Sequence, residues 1–445
     1  MALVSMLLAL PAAATNGYFT HGKGTRNKGM AGAGSAQPAS AIELANNPAS
    51  AVLVRSGFEA GAGLFSPRRS YTTSASQAGG NGGAFTIGPN AIDSAREGFV
   101  IPHLARTWNH DRHAFGLAFY GRGGMNTSWQ GGNASFDPDG PGPAPVGSFA
   151  GTYGAGAAGV DLAQAFVELA YARRKNDRFA WGLATVLAVQ RFEASGVASF
   201  APFTRSFAAS GGTALPENLS DRGHDLSWGA GLRAGINALI TPTVRVGLSY
   251  QSRVYMTEFD NYADLFAESG DFDIPASAGV ALSWSPDNAF SLHLDVEHTW
   301  YSDVAAVGNP ISAIFNCPTA GAGGSDIESC LGGRRGAGFG WRDVTTIKLG
   351  GEWRASDALT LRAGVSHGRQ PIPETEVVFN ILAPGVIEEH FTAGFSRRIG
   401  RGAISGAVLY APKERVAGIN SFDPTQRVEF EMHQFELELS YGWQF

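Results

Sequence analysis

Apolar and polar residues alternate with a period of two along most of the chain, and the clearest stretch is the last. Phe435, Leu437, Leu439, Tyr441, Trp443 and Phe445 fall on one face, and Gln434, Glu436, Glu438, Ser440, Gly442 and Gln444 on the other. Successive side chains of a strand point to opposite sides, so this is a strand with one greasy and one polar face. The same pattern sets Leu226, Trp228, Ala230, Leu232, Ala234 and Ile236 against Ser227, Gly229, Gly231, Arg233, Gly235 and Asn237. It recurs at 244–251, 290–297 and 359–366. Such segments predict about fourteen strands: 57–72, 97–108, 112–122, 161–174, 178–192, 224–238, 242–256, 272–285, 288–301, 342–354, 357–370, 386–399, 402–411 and 429–445. An even number of alternating strands suits an all-β transmembrane antiparallel β-barrel.

The connections support that reading. Tight turns at Asn109-His110-Asp111, Asn176-Asp177, Ile240-Thr241, Pro286-Asp287, Ala355-Ser356 and Gly400-Arg401 alternate with long segments: 73–96, 123–160, 193–223, 257–271, 302–341, 371–385 and 412–428. Small periplasmic turns and large external loops produce this alternation, and they put both chain ends on the periplasmic side. Trp108, Trp181, Trp284, Trp353 and Trp443 fall near the predicted periplasmic strand ends, and Trp129, Trp228, Trp300 and Trp341 near the external ends. That spacing predicts two aromatic girdles at the membrane interfaces.

Composition narrows the class. The 445 residues include 59 Gly and are 16% charged, which is sparse for a soluble chain. No apolar run outside the N-terminus is long enough for a spanning helix. A net charge of −6 without a basic run argues against a nucleic-acid partner. Met1–Leu10 is almost wholly apolar and is followed by Pro11-Ala12-Ala13-Ala14, so residues 1–14 read as a secretory leader, although no basic residue precedes Lys23. In an exported chain the two cysteines, Cys317 and Cys330, read as a disulfide within one loop.

Catalytic patterns are weak. Ser291, His293 and Asp295 share a strand face, but no nucleophile elbow accompanies them. The histidines show no metal-ligand spacing, and no glycine-rich stretch has a phosphate-loop context. No catalytic residue, metal or cofactor is expected.

Residues 15–56 do not alternate. Glycines 22, 24, 29, 32 and 34 interleave with small residues. A short helix broken at Asn46 is expected to follow, then a second in which Asn47 caps and Pro48 takes the first position. Ile42, Leu44, Val52, Leu53 and Val54 weigh against disorder and predict a small hatch, or plug, inside a barrel spanning 57–445.

The sequence resembles the FadL-type family of outer-membrane transporters of hydrophobic compounds (OMPP1/FadL/TodX). The similarity lies in Gly29-Met30-Ala31-Gly32-Ala33-Gly34, Asn47-Pro48-Ala49, Asp343-Val344-Thr345-Thr346, Gly350-Gly351-Glu352-Trp353, Leu359-Thr360-Leu361-Arg362-Ala363-Gly364, Pro371-Ile372-Pro373 and the terminal Phe445. The resemblance implies uptake of long-chain fatty acids or other hydrophobic compounds by facilitated diffusion. It further implies a kinked third strand beside the Asn-Pro-Ala motif, with ligand leaving sideways through the wall. Gly121 and Gly123 would supply the kink, and Asn47, Pro48 and Ala49 the gate. Partners in this reading are outer-membrane lipid, lipopolysaccharide and the barrel-assembly machinery acting on Phe445, with a monomer expected.

Two loops are greasy enough for capture: Phe200, Phe203, Phe207, Leu215 and Leu219 in the first, and Phe259, Tyr262, Leu265 and Phe266, on a short amphipathic helix, in the second. A fatty-acid carboxylate would need a cation, for which Arg233, Arg245, Lys348 and Arg362 face inward. Asp295, Glu297, Glu352, Glu436 and Glu438 share that interior, so most of these charges are expected to pair across the lumen. A water-filled porin and a barrel lipid hydrolase are the alternatives. The plug-like segment argues against the first and the missing elbow against the second.

Overall fold

In a computed structural model the chain closes into an antiparallel barrel of fourteen strands. Residues 16–138, 145–319 and 322–444 are described; the expected leader and Phe445 lie outside them. The strands are β1 (Gly57–Thr73), β2 (Phe99–His110), β3 (His113–Trp129), β4 (Ala158–Asn176), β5 (Phe179–Phe192), β6 (Asp225–Thr241) and β7 (Val244–Gln251). They continue as β8 (Ser277–Trp284), β9 (Phe290–Thr299), β10 (Val344–Arg354), β11 (Leu359–Gly368), β12 (Glu389–Ile399), β13 (Gly402–Asn420) and β14 (Asp423–Gln444). Each pairs with its sequence neighbours, and β14 pairs back onto β1, from Gly57 opposite Gln444 to Thr73 opposite Val428. Closure removes the free edges that hydrocarbon would not tolerate.

The barrel buries its polar face. On β14, Gln434, Glu436 and Glu438 are at most 2% exposed, while Phe435, Leu437, Leu439, Tyr441 and Trp443 are 38–53% exposed. Exposed Leu, Val and Phe recur around the wall, as a lipid-facing surface requires. Inside lies the N-terminal segment: a helical turn at Thr25–Lys28, then 3-10 turns at Ala41–Ala45 and Pro48–Val52. Asn47 caps the last as expected, its side chain accepting from Ala49 N at 3.0 Å.

Four expectations need correction. The predicted loop 412–428 is strand: β13 and β14 form one long hairpin that turns at Ser421-Phe422. Its outward residues are charged, with Lys413 paired to Glu431 at 2.5 Å and Arg415 to Glu429 at 3.6 Å. A ribbon standing beyond the apolar band loses its greasy face without ceasing to be a strand. Second, β3 does not stop at residue 122 but runs on to Trp129. Third, Trp129 and Trp341 are buried and belong to no girdle; their indoles donate to Ile381 O at 3.1 Å and Asn380 Oδ1 at 2.6 Å. Fourth, the 257–271 loop holds two separate turns, Asp260–Tyr262 and Ala267–Gly270, because Glu268 and Ser269 adopt positive φ and break any continuous helix.

Candidate functional site: a path from the loops to the wall

The N-terminal segment is held by charge. Lys28 Nζ sits between Glu436 and Glu438, at 2.5 Å from the latter. Thr25 Oγ1 donates to Glu438 at 2.8 Å. Arg26 bridges Glu43 at 3.2 Å and Glu352 at 3.1 Å. Asp295 accepts from the backbone N–H groups of Gly34 and Ser35, both at 3.0 Å. Burial alone would depress the Lys28 ammonium, but the two carboxylates outweigh it and hold the group above its usual range. The inward acids expected to pair across the lumen mostly grip the N-terminal segment instead.

Three of the four predicted carboxylate-binding cations are taken up within the wall. Arg233 bonds both oxygens of Glu168 at 3.2 Å, and also Gln251. Lys348 meets Glu297 at 2.6 Å, and Arg362 meets Glu352 at 2.6 Å. Arg245 donates to Asn237 Oδ1 at 3.0 Å, close to the β6–β7 turn and far along the strand from the loops. Two further buried cations carried no sequence signal. Arg122 bonds Glu297 at 3.2 Å and Gln251 at 3.0 Å and lies 4.0 Å from the Phe19 ring centre. Among the described residues Lys23 donates only to Ala45 O, at 2.5 Å. Burial, then nearby Arg233 and Arg122, holds its amine well below its usual range. Lys23, Arg122, Arg233 and Lys348 surround a small polar cavity of about 50 Å3 in the lumen, with Asp295 and Glu297 on its other side.

At the loop end the chemistry changes. Phe200, Leu265 and Phe266 meet Val160, Phe192, Leu331, Phe339, Phe379 and Leu382 around an apolar pocket of about 40 Å3. Phe259 and Tyr262 pack against Phe192 behind it, with ring centres 5.5 and 4.9 Å away. Phe207 and Leu219 are buried nearby in the loop cluster. Phe203 instead meets Phe422 edge-on, with ring centres 5.8 Å apart, and Leu215 is 74% exposed, so neither lines the pocket. The pocket draws on more loops than expected, because 302–341 and 371–385 contribute as much as the two capture loops. Cys317 and Cys330 are joined and fasten the first of these.

Between the two regions the wall is interrupted. Pairing of β2 with β3 ends at His103 opposite Tyr120, although β2 continues to Phe99. From there β4 is the one barrel strand β3 stays paired with among the described residues, through a bulge at Arg122 between Gly121 and Gly123, until Ala95 N donates to Ser128 O at 2.9 Å near its end. Pro102 has no N–H to offer a ladder, and the glycines let the strand turn inward. Beyond the bulge β3 is buried on almost every residue. The N-terminal segment takes the place of the lost neighbour: Thr20 N donates to Arg122 O at 2.8 Å, and Gly124 N donates to Tyr18 O at 3.0 Å.

Asn47-Pro48-Ala49 does not lie beside this kink, contrary to expectation. Asn47 Nδ2 donates to Ile236 O at 2.9 Å and Leu248 O at 3.2 Å, on β6 and β7. The close approach needs glycine: a Cβ at Gly235 would stand 2.1 Å from Asn47 Oδ1, and one at Gly182 would stand 2.5 Å from Pro48 C. The segment touching the kink is Tyr18-Phe19-Thr20. Ser291, His293 and Asp295 assemble no triad: His293 bonds Ser283 at 2.8 Å, Ser291 bonds Ser285 at 2.8 Å, and Asp295 serves the N-terminal segment.

Known proteins bear on this arrangement. The family model of outer membrane transport proteins (OMPP1/FadL/TodX) matches residues 6–396. A Pseudomonas aeruginosa FadL homologue of known structure is similar at 17% identity and TM-score 0.64, covering 96% of this chain and 100% of that one. The Pseudomonas putida toluene transporter TodX is similar at 15% and 0.58, covering 96% and 99%. The CymD monoaromatic hydrocarbon channel is similar at 17% and 0.55, covering 96% and 98%. At these identities the structural likeness speaks for the fold alone. No curated protein matches the chain. The family match spans most of the sequence, and the chain belongs to the OMPP1/FadL/TodX family of outer-membrane transporters of hydrophobic compounds, which are channels and not enzymes.

Proposed function

We propose that the protein takes up long-chain fatty acids or other hydrophobic compounds by facilitated diffusion. The large loops face outward and both chain ends face the periplasm. Ligand enters the apolar pocket under the loops, descends beside the N-terminal segment and leaves through the wall between β2 and β3. The observation that carries this reading is the early end of the β2–β3 ladder, on the loop half of the barrel where the apolar pocket also lies. A wall opened there delivers a greasy molecule to lipid without crossing the charged lumen, whose polar groups would strip no cost from its transfer. Residues 16–56 support a closed lumen over a water-filled one, since they fill its interior and are largely buried there. Asn47-Pro48-Ala49 acts in this scheme as the anchor against which the Tyr18–Thr20 end moves.

The test is uptake of radiolabelled oleate and of toluene by cells expressing the protein, beside conductance of the purified barrel in a planar bilayer. Faster uptake with little ion current is expected. A large steady current without faster uptake would instead mark a porin.

A further inference from the structure

Two buried cations, Lys23 and Arg69, have no carboxylate partner among the described residues; Lys23 lines the polar lumen cavity, and Arg69 stands apart near the loops. It lies on β1, is 6% exposed, and makes hydrogen bonds only to two backbone carbonyls, Asn126 O at 2.8 Å and Arg96 O at 3.3 Å. Both use the same nitrogen, so the guanidinium's other donors are unused among the described residues. No described carboxylate stands within ion-pair distance, whereas Arg26, Lys28, Arg122, Arg233, Lys348 and Arg362 all have one. A buried guanidinium without a counter-charge costs stability unless something anionic completes it.

The side chain lines a cavity of about 20 Å3, room for about one water-sized group, with Met125, Thr127, Trp341, Ala383 and Pro384 among its walls. This cavity adjoins the apolar loop pocket at three places. Thr127 on its wall pairs with Val160 on the pocket's. Trp341 lies two residues from Phe339, and Ala383 is next to Leu382. Thr127 Oγ1 also donates to Leu382 O at 2.7 Å, so residues 382–385 line both spaces.

We propose that Arg69 selects for ligands bearing a carboxylate: the apolar body lies in the loop pocket, and the head group reaches past residues 382–384 to the guanidinium. A carboxylate presents two oxygens to two parallel N–H donors, which matches the unused donors of Arg69, and the cavity beside them widens as the head group enters. The inference deepens the uptake reading and rests on it. It assigns an anionic amphiphile, not a neutral hydrocarbon, as the preferred substrate.

The experiment measures binding of radiolabelled oleate and of its methyl ester to the purified barrel in detergent at neutral pH. The wild-type protein is expected to bind oleate roughly tenfold more tightly than the ester, the margin of a charge-assisted pair over a neutral one. Arg69→Gln should abolish that preference while leaving ester binding unchanged, which also certifies that the variant is folded. Arg69→Lys should keep part of it. If the preference survives in Arg69→Gln, or if the wild type shows none, the assignment of Arg69 is overturned while uptake stands. If neither compound binds the wild type, the uptake reading falls as well.

Discussion

The two halves of the lumen hold their contents by opposite chemistry. Near the turn end, the N-terminal segment is fixed by directional contacts: Lys28 between Glu436 and Glu438, Arg26 between Glu43 and Glu352, and Asp295 on two backbone N–H groups. Near the loop end, Phe192, Phe200, Phe266 and their neighbours pack rings and aliphatic chains around a nearly polar-free space. Ion pairs in a dry interior tolerate little displacement, because separation leaves charge unpaired. Apolar contacts are individually weak and non-directional, so rings can part and close again around a guest. The plug therefore stays seated while the pocket above it can open.

The largest expected effect breaks the polar half. Lys28→Met would leave Glu436 and Glu438 buried beside each other, a loss of about 3–5 kcal/mol. Hydrogen exchange should then speed up across residues 22–35 while the strand amides stay protected. Unchanged protection there would show that charge does not hold the segment.

Three residues along β14 the sign of the environment reverses. Leu437 points to lipid and Ser440 to the lumen. Leu437→Arg should impair membrane assembly by about 2–4 kcal/mol if it lies near the midplane, and Ser440→Arg far less. Equal defects in heat-resistant folded barrel on electrophoresis would contradict the two-sided wall.

The apolar half should be more forgiving. Phe200→Met keeps bulk and greasiness and should cost less than about 1.5 kcal/mol in thermal unfolding. A loss matching that of Lys28→Met would erase the contrast between the halves.

The smallest effect concerns pH. Burial, then neighbouring Asp273 and Glu268, raises the Asp271 carboxyl in the 252–276 loop to about 7. A carboxyl raised on folding contributes stability that is complete below its ordinary pKa and is lost as pH climbs through about 7. Intrinsic-rate-corrected exchange in that loop should therefore be a few-fold faster at pH 8 than at pH 5.5, and Asp271→Asn should flatten the difference. Identical profiles for the two proteins would remove Asp271 from the account.

What the sequence made legible follows from how much one residue's neighbours along the chain determine. Period-two alternation decides which way each β14 side chain faces, and the lipid bands carry it cleanly, so most of the strands and turns could be placed. It does not say which inward charge meets which. Glu436, Glu438 and Asp295 found partners in residues 25–35, hundreds of positions away, and no local pattern encodes that pairing. Where the membrane ends the pattern fades, as in the 412–428 hairpin. Arg69 went unseen because Pro67-Arg68-Arg69 blurs the alternation. Arg68 points outward to Glu97 and only Arg69 turns in. The pairing shifts between Gly121 and Gly123, where glycine marks a local break, but its neighbour, Tyr18-Phe19-Thr20, is set by closure of the whole barrel.

The central claim is that ligand leaves between β2 and β3, and a reversible lock tests it directly. An added Cβ at Gly121 would lie 3.0 Å from Ile101 Cγ2, so Ile101→Cys with Gly121→Cys places two thiols within bridging reach. Uptake of radiolabelled oleate should stop when this pair is oxidised and return on mild reduction, at constant surface abundance. The native Cys317–Cys330 bridge, replaced by serines in the same background, removes ambiguity about which bond is reduced. Full uptake through the oxidised, cross-linked barrel would contradict the account.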